Sequence, residues 1–205
     1  MNHKKPSTRS QLYEIIDEGS FTELFGQRGM VDPLSFPGYW ERLQAVQSLS
    51  GQPAAALTGT AQAGGVDCML ILFEPHFIGG SMGVLEGEKI ACTFEYASVK
   101  KLPVITVTGS GSARIQEGTA SLLQFAKAAG AAKKHSDRGM LHISILSNPM
   151  LGGISLSFAS MADIIIVQKG CPAAEKALSL GMADILADKK ELRSILIKLL
   201  TCHCK

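Results

Sequence analysis

Apolar and polar positions change rhythm several times along the chain, and each rhythm predicts an element. "YWERLQAVQSL" places Tyr39, Leu43, Val46 and Leu49 at helical spacing. From Ala54 the period shortens: "AAALTGTAQAGGVDCMLILFEP" reads as two apolar strands joined at Gly64–Gly65, a hairpin signal. Strand–turn–helix units follow. "VDCMLILFEP" leads through "HFIGGSMG" into a helix on which Ile90, Phe94 and Ala97 share a face. "LPVITVTGSG" leads into "SARIQEGTASLLQFAKAAGAAKKH", where Ile115, Leu122, Leu123, Ala126 and Ala129 keep the 3.6 period and are expected to face the core. "LHISILSNP", "MLGG" and "ISLSFASMA" repeat the unit, and "DIIIVQ" is a further strand. The last run, "KELRSILIKLL", stripes Leu192, Ile195, Leu196, Leu199 and Leu200 along one helix face, which must dock on its own domain or on another subunit.

Near-continuous apolar strands alternating with helices predict an α/β fold with a largely parallel sheet covered on both faces. Two features before the hairpin complete the pattern. Ser20 and Glu23 in "GSFTEL" have capping-box spacing and predict a short helix; "VDPLSFPGYW" is a proline-bounded connector.

Composition narrows the classes. The 205 residues suit a single domain, 46% are hydrophobic and 19% charged, and the net charge is +2. No basic stripe interleaved with aromatics marks a nucleic-acid surface, and no apolar run reaches the ~18–20 residues of a membrane span. The leading "MNHKKPSTRS" has no apolar stretch behind it and is expected to be a flexible end rather than a secretion signal. Cys68 and Cys92 lie in apolar surroundings typical of a reduced, cytoplasmic protein. Cys202, His203 and Cys204 lack a second ligand pair at zinc spacing, so no metal is expected in this chain.

Candidate chemistry concentrates in the turns. Gly79, Gly80 and Gly83, then Gly109 and Gly111, then Gly152 and Gly153 follow three successive strands, all expected on one carboxyl edge of the sheet. Bare backbone there lets a ligand approach, and helix N-termini aim N–H groups at negative charge. "GSGSAR" starts like a dinucleotide fingerprint, but Arg114 stands where the third glycine belongs. "GGSMG" fits a nucleophile elbow at Ser81, whose partners would have to be Asp163 or Asp184 and then His203 near the chain end. His76, His135 and His142 fit no triad or metal spacing and are expected at surface or edge. Chemistry would then rest on backbone donors that stabilise an oxyanion, as thioester enolates require.

"DEGSFTEL", "DPLSF" with "YWERLQAVQ", "FIGGSMGVLEGEKI", "GSARIQEGTASLLQFAKAAGA" and "NPMLGGISLSFASMADI", in this order and followed by "LGMADILADKKELRSILIKLL", resemble the carboxyltransferase beta subunit of bacterial and plastid acetyl-CoA carboxylase. The resemblance implies a crotonase-like ββα superhelix as a single domain over residues 17–205, preceded by a flexible segment over 1–16. It implies transfer of a carboxyl group between carboxybiotin, held on a separate carrier protein, and acetyl-CoA, with a hetero-oligomeric alpha-type partner subunit. Carried over by position, Gly111, Ser112 and Ala113 would form the oxyanion turn and Gly152 and Gly153 the facing turn. Gly79, Gly80, Ser81, Met82, Gly83 and Lys89 would cradle the coenzyme A arm, and Arg114 would steady the turn or reach a coenzyme A phosphate. Lys100 and Lys101 would add positive charge nearby. Ser112 replaces the second glycine of the family turn, zinc-ribbon cysteines are absent from the leading residues, and a late Gly-Phe-Ala-Gly-Pro-Arg stretch is missing. These departures fit a specialised paralogue. They keep open a biotin-independent decarboxylase acting on malonyl-type acyl-CoA or acyl-carrier-protein thioesters, and a scaffolding subunit that binds through the Leu192–Leu200 stripe.

Overall fold

The computed structural model describes residues 12–109, 111–147, 153–170 and 174–203. Seven strands form one sheet in the order of the sequence: β1 (Thr22–Glu23), β2 (Ala56–Ala63), β3 (Val66–Phe73), β4 (Val104–Thr108), β5 (His142–Leu146), β6 (Ile164–Gln168) and β7 (Ile185–Ala187). β1, β2 and β3 pair antiparallel, and β3 to β7 run parallel. The β2–β3 hairpin turns at Gly64 and Gly65, whose φ angles of 61° and 77° favour glycine, as the Gly-Gly pair predicts. Asp17 braces it, accepting the Gly64 and Gly65 amides at 3.0 and 2.8 Å and the Arg193 guanidinium at 2.6 Å.

Helices cover both faces. α1 (Tyr39–Ser50), α2 (Val84–Lys100) and α3 (Gly118–Ser136) lie on one side, and α6 (Leu192–His203) on the other. α4 (Gly153–Leu156) and α5 (Ala174–Ser179) are short. Because side chains alternate along a strand, β3 feeds two cores. Met69, Ile71 and Phe73 pack with Tyr39, Ile90, Phe94 and Ala97, while Cys68, Leu70 and Leu72 pack with Leu192, Leu196 and Leu200. The terminal stripe therefore docks on its own sheet, which removes it as the binding surface of a scaffolding subunit.

Several expectations are corrected. "GSFTEL" is not a helix: Thr22 and Glu23 pair with Thr60 and Gly59, and the Ser20 hydroxyl donates to the Asp17 carbonyl instead of capping. Gly59 permits that close pairing, since a Cβ there would meet the Phe21 ring at 2.8 Å. Leu12, Ile15 and Ile16 fall in the stretch expected to be flexible, yet they are buried in the second core. On α3 the expected stripe points outward. Ile115, in the turn before the helix, and Leu122 and Leu123 on it are 80%, 58% and 67% exposed, whereas Ser121, Ala128, Ala131, Ala132 and His135 are buried. The reason is close packing: Gly87 of α2 sits against Gln124, where a Cβ would meet Gln124 Cγ at 2.7 Å, and only small residues fit that seam.

His135 and His142 are also buried rather than at the edge. Both rings stack edge-on to Phe94, at centroid distances of 5.6 and 5.0 Å. His142 Nε2 lies 3.1 Å from the Thr106 hydroxyl. Burial pushes the His142 imidazole down to about 3, and it lowers His135 as well.

Candidate active site

Two glycine turns meet at the carboxyl edge of β3 and β4. The first follows β3: Ile78–Gly80 makes a 3-10 turn with Gly79 and Gly80 at φ 64° and 69°, and Ser81–Gly83 then leads into α2. The second follows β4 and runs from Gly111 to Arg114, before the 3-10 turn Ile115–Glu117 and α3. The turns are joined by a parallel bridge between Met82 and Ala113. The Met82 amide donates to the Ser112 carbonyl and the Arg114 amide to the Met82 carbonyl, each at 2.9 Å. Gly111 is buried against this junction, and a Cβ there would stand 2.5 Å from the Gly80 carbonyl oxygen and collide with Ile154 Cδ1. The Ile154 amide donates to the Gly111 carbonyl at 3.2 Å, which brings Gly153 to the facing position. Gly152 and Ser110 lie outside the described residues.

The backbone hydrogen bonds separate engaged amides from free ones. Gly80 donates to Phe77, Ser81 to Ile78, Met82 to Ser112, Gly83 to Glu86 and Val84 to Glu117. Among the described residues, the amides of Gly111, Ser112 and Ala113 have no such acceptor. Along this turn Gly111 is buried, Ser112 exposed and Ala113 half-buried. Ser112 is not among the residues with positive φ, so a serine fits here without backbone strain. The first turn is corrected accordingly. Four of its five amides, from Gly80 to Gly83, are engaged internally.

Beside the turns a cleft of about 200 Å³ opens across the strand ends, lined by Phe73, Pro75, Val107, Gly109, Ser147, Gln168 and Lys189 among others. A larger open cleft of about 630 Å³ between Glu23–Arg28 and Gly51–Pro53 touches neither turn. The smaller one is the better candidate, because it opens at the strand ends and is lined by Gly109, two residues before Gly111 in the chain.

The charged residues expected here are placed differently. Arg114 is 3% exposed and turned inward. Its Nη2 donates to the Ser81 carbonyl at 2.7 Å and to Glu86 at 2.6 Å. Its Nη1 donates to Glu117 at 3.1 Å and to the Tyr39 hydroxyl at 3.3 Å, and its Nε to Ser81 Oγ at 3.3 Å. Burial alone would lower its pKa, but the Glu86 carboxylate beside it raises it above the usual arginine value and keeps it charged. Arg114 steadies the turn and cannot reach a phosphate. Lys89 is 1% exposed with Nζ 3.9 Å from Glu23, and burial lowers its pKa, so it does not line the arm of a ligand either. Lys100 and Lys101 sit at the far end of α2, roughly 25 Å from its first residue at ~1.5 Å rise per residue.

No hydrolase triad assembles. The Ser81 hydroxyl donates to the Ile78 carbonyl at 2.8 Å and accepts from Arg114. Asp163 and Asp184 accept the backbone amides of His142 and Ile165, and His203 is exposed at the end of α6. Tyr39, Glu86 and Glu117 were not singled out by sequence reading. Their signal was weak, because Tyr39 reads only as one apolar position of a helix and two glutamates on helical stretches look like surface residues until the fold buries them around one guanidinium.

Residues 15–178 match the family model described as the carboxyl transferase domain. The chain is 41% identical over 220 residues to the acetyl-coenzyme A carboxylase carboxyl transferase subunit beta 1 of Lachnospira eligens, covering 97% of this chain and 85% of that protein. Among solved structures it resembles transcarboxylase 12S with methylmalonyl-coenzyme A and methylmalonic acid bound (TM-score 0.76, 26% identity, 96% of this chain and 41% of that one). It also resembles a Pseudomonas malonate decarboxylase hetero-tetramer in complex with malonate (TM-score 0.73, 20% identity, 96% of this chain and 82% of that one). The chain thus spans less than half the length of the transcarboxylase chain it matches. The crotonase-like fold expected from the sequence agrees with these neighbours.

Proposed function

The chain belongs to the carboxyl transferase family and is a beta-type carboxyltransferase, and from that premise we propose that it moves a carboxyl group between carboxybiotin and an acyl-CoA thioester through an enolate held by main-chain amides. The observation that carries this reading is the set of N–H groups at Gly111, Ser112 and Ala113 without an acceptor among the described residues, on the turn that continues from Gly109 in the cleft wall. An acyl thioester entering that cleft would lay its carbonyl oxygen against these donors. Loss of an α-proton or of CO₂ then places negative charge on that oxygen, where preorganised amides act most strongly. Gly153, across from Gly111, and Gly79 would border the path of the ligand.

Biotin would arrive on a separate carrier protein, and an alpha-type subunit would complete the assembly. The similarity to a carboxyl transferase named as a beta subunit supports a hetero-oligomeric assembly of this kind. No helix among the described residues is long and apolar enough to cross a membrane, and a cytoplasmic setting with soluble acyl-CoA fits. The test pairs the chain with an alpha-type subunit, malonyl-CoA and biocytin. Formation of carboxybiocytin and acetyl-CoA is expected. Release of CO₂ from malonyl-CoA without biocytin, at the same rate with or without it, would instead establish the biotin-independent decarboxylase.

A further inference from the structure

We propose that Tyr39, Glu86, Arg114 and Glu117 form a buried positioning clamp that sets the geometry of the Gly111–Ala113 turn, with the Tyr39 hydroxyl as its neutral keystone. The inference rests on the reading that this turn holds the thioester oxygen. All five N–H protons of the Arg114 guanidinium are engaged: two on Ser81, one each on Glu86, Glu117 and Tyr39. A guanidinium so engaged has no donor left for a ligand, so its contribution is geometric.

Each member reaches a different segment. Glu86 accepts the Gly83 amide at 3.0 Å and the Ala55 amide at 2.8 Å, tying the first turn to the start of β2. Glu117 accepts the Val84 amide at 2.6 Å, tying the second turn to the start of α2. Tyr39, the first residue of α1, donates its hydroxyl proton to Glu117 at 2.5 Å while accepting from Arg114. Arg114 also lies over the Phe77 ring, 5.5 Å from its centroid.

A cluster of this kind is poorly explained by stability. Desolvating two carboxylates and a guanidinium offsets most of their attraction, and apolar residues of similar volume could fill the space equally well. What apolar packing could not do is occupy the Gly83 and Val84 amides while fixing the Ser81 carbonyl. Together with the Met82–Ala113 bridge, those bonds fix the second turn against the first. They also leave Gly111, Ser112 and Ala113 as the free donors of the junction. A displacement of about 1 Å in such a donor costs roughly 100-fold in rate.

Tyr39→Phe keeps the ring and removes one bond to each charged partner. In the assembled enzyme, kcat for carboxyl transfer from malonyl-CoA to biocytin should fall about tenfold with KM within about twofold. Arg114→Lys, which supplies a point charge in place of a fork, should fall about 100-fold. Hydrogen exchange supplies the readout independent of turnover: the Met82 and Arg114 amides should exchange about tenfold faster in Tyr39→Phe and in Glu117→Gln, while amides of β3 keep their wild-type rates. If the wild-type enzyme transfers no carboxyl group, the functional reading falls and exchange alone decides the clamp. Unchanged exchange overturns the proposal. So does a kcat within twofold of wild type in an active enzyme, or a loss confined to KM.

Discussion

Gly111 shows how one missing side chain can decide a site. A methyl group there would press on Ile154 Cδ1, a side-chain end that can turn, and on the Gly80 carbonyl oxygen at 2.5 Å, which is backbone and cannot. Gly111→Ala should therefore push the two turns apart and reduce kcat about 100-fold, with acyl-CoA binding affected less; steady-state kinetics check the split. Ser81 is the contrasting case. As a nucleophile its loss would cost about 10⁴-fold or more, whereas the structure gives its hydroxyl only the Ile78 carbonyl and Arg114 Nε. Ser81→Ala should retain at least about a tenth of wild-type kcat in the same assay. Both glycine turns were legible in the sequence, since glycine runs after apolar strands have few other uses. The direction in which Arg114 points was not. Spacing tells that an arginine follows the turn, but only the burial of Glu86 and Glu117 on either side draws it inward.

At the scale of elements, periodicity located the helices and strands well and their faces less well. α6 packs with the stripe that the sequence shows, and Leu196 is fully buried. Leu196→Ala should cost about 2–5 kcal/mol of unfolding free energy by urea titration. α3 is the counter-example. The same 3.6-residue logic selects Leu122 and Leu123, yet the inner side packed along the Gly87–Gln124 seam is built from Ser121, Ala128, Ala131 and Ala132, with His135 at its end. Leu122→Glu and Leu123→Glu should change the stability of the isolated chain by no more than about 0.5 kcal/mol. A loss of several kcal/mol in that titration would restore the inward-facing stripe. "GSFTEL" failed as a helix for a related reason: a capping pattern is local, while the open edge of β2 offers Thr22 and Glu23 a full set of partners.

At the scale of the molecule, the sheet collects polar side chains under α2. Thr106, Thr108, His142 and Ser144 are all buried on the side facing Phe94, a layer hidden within strands that read as nearly continuous apolar runs. This layer makes stability depend on pH. His142 has a folded pKa pushed down by burial to about 3, against ~6.5 in an unfolded chain. Between those values the unfolded state binds a proton that the folded state refuses. The contribution is complete above about pH 6.5 and is lost as pH falls towards about 3, by up to ~1.4 kcal/mol per pH unit for one proton. The urea midpoint should be level from pH 7 to 8 and decline from pH 6 to 5, and His142→Gln should flatten that decline.

The family was legible from ordered motifs spread over most of the chain, because a shared fold repeats its turns and helix starts in a fixed order. The free amides were legible only as a possibility of the turn, since hydrogen-bond partners are a property of the assembled fold. The most direct test of their role removes one N–H and leaves every side chain in place. Replacing Ala113 by L-lactic acid through protein semisynthesis turns its amide into an ester and keeps the methyl group. With malonyl-CoA, biocytin and the alpha-type subunit, kcat should fall about 10²- to 10³-fold with KM little changed, the usual cost of losing one oxyanion donor. A kcat equal to that of the all-amide protein would contradict main-chain stabilisation of the enolate at this turn.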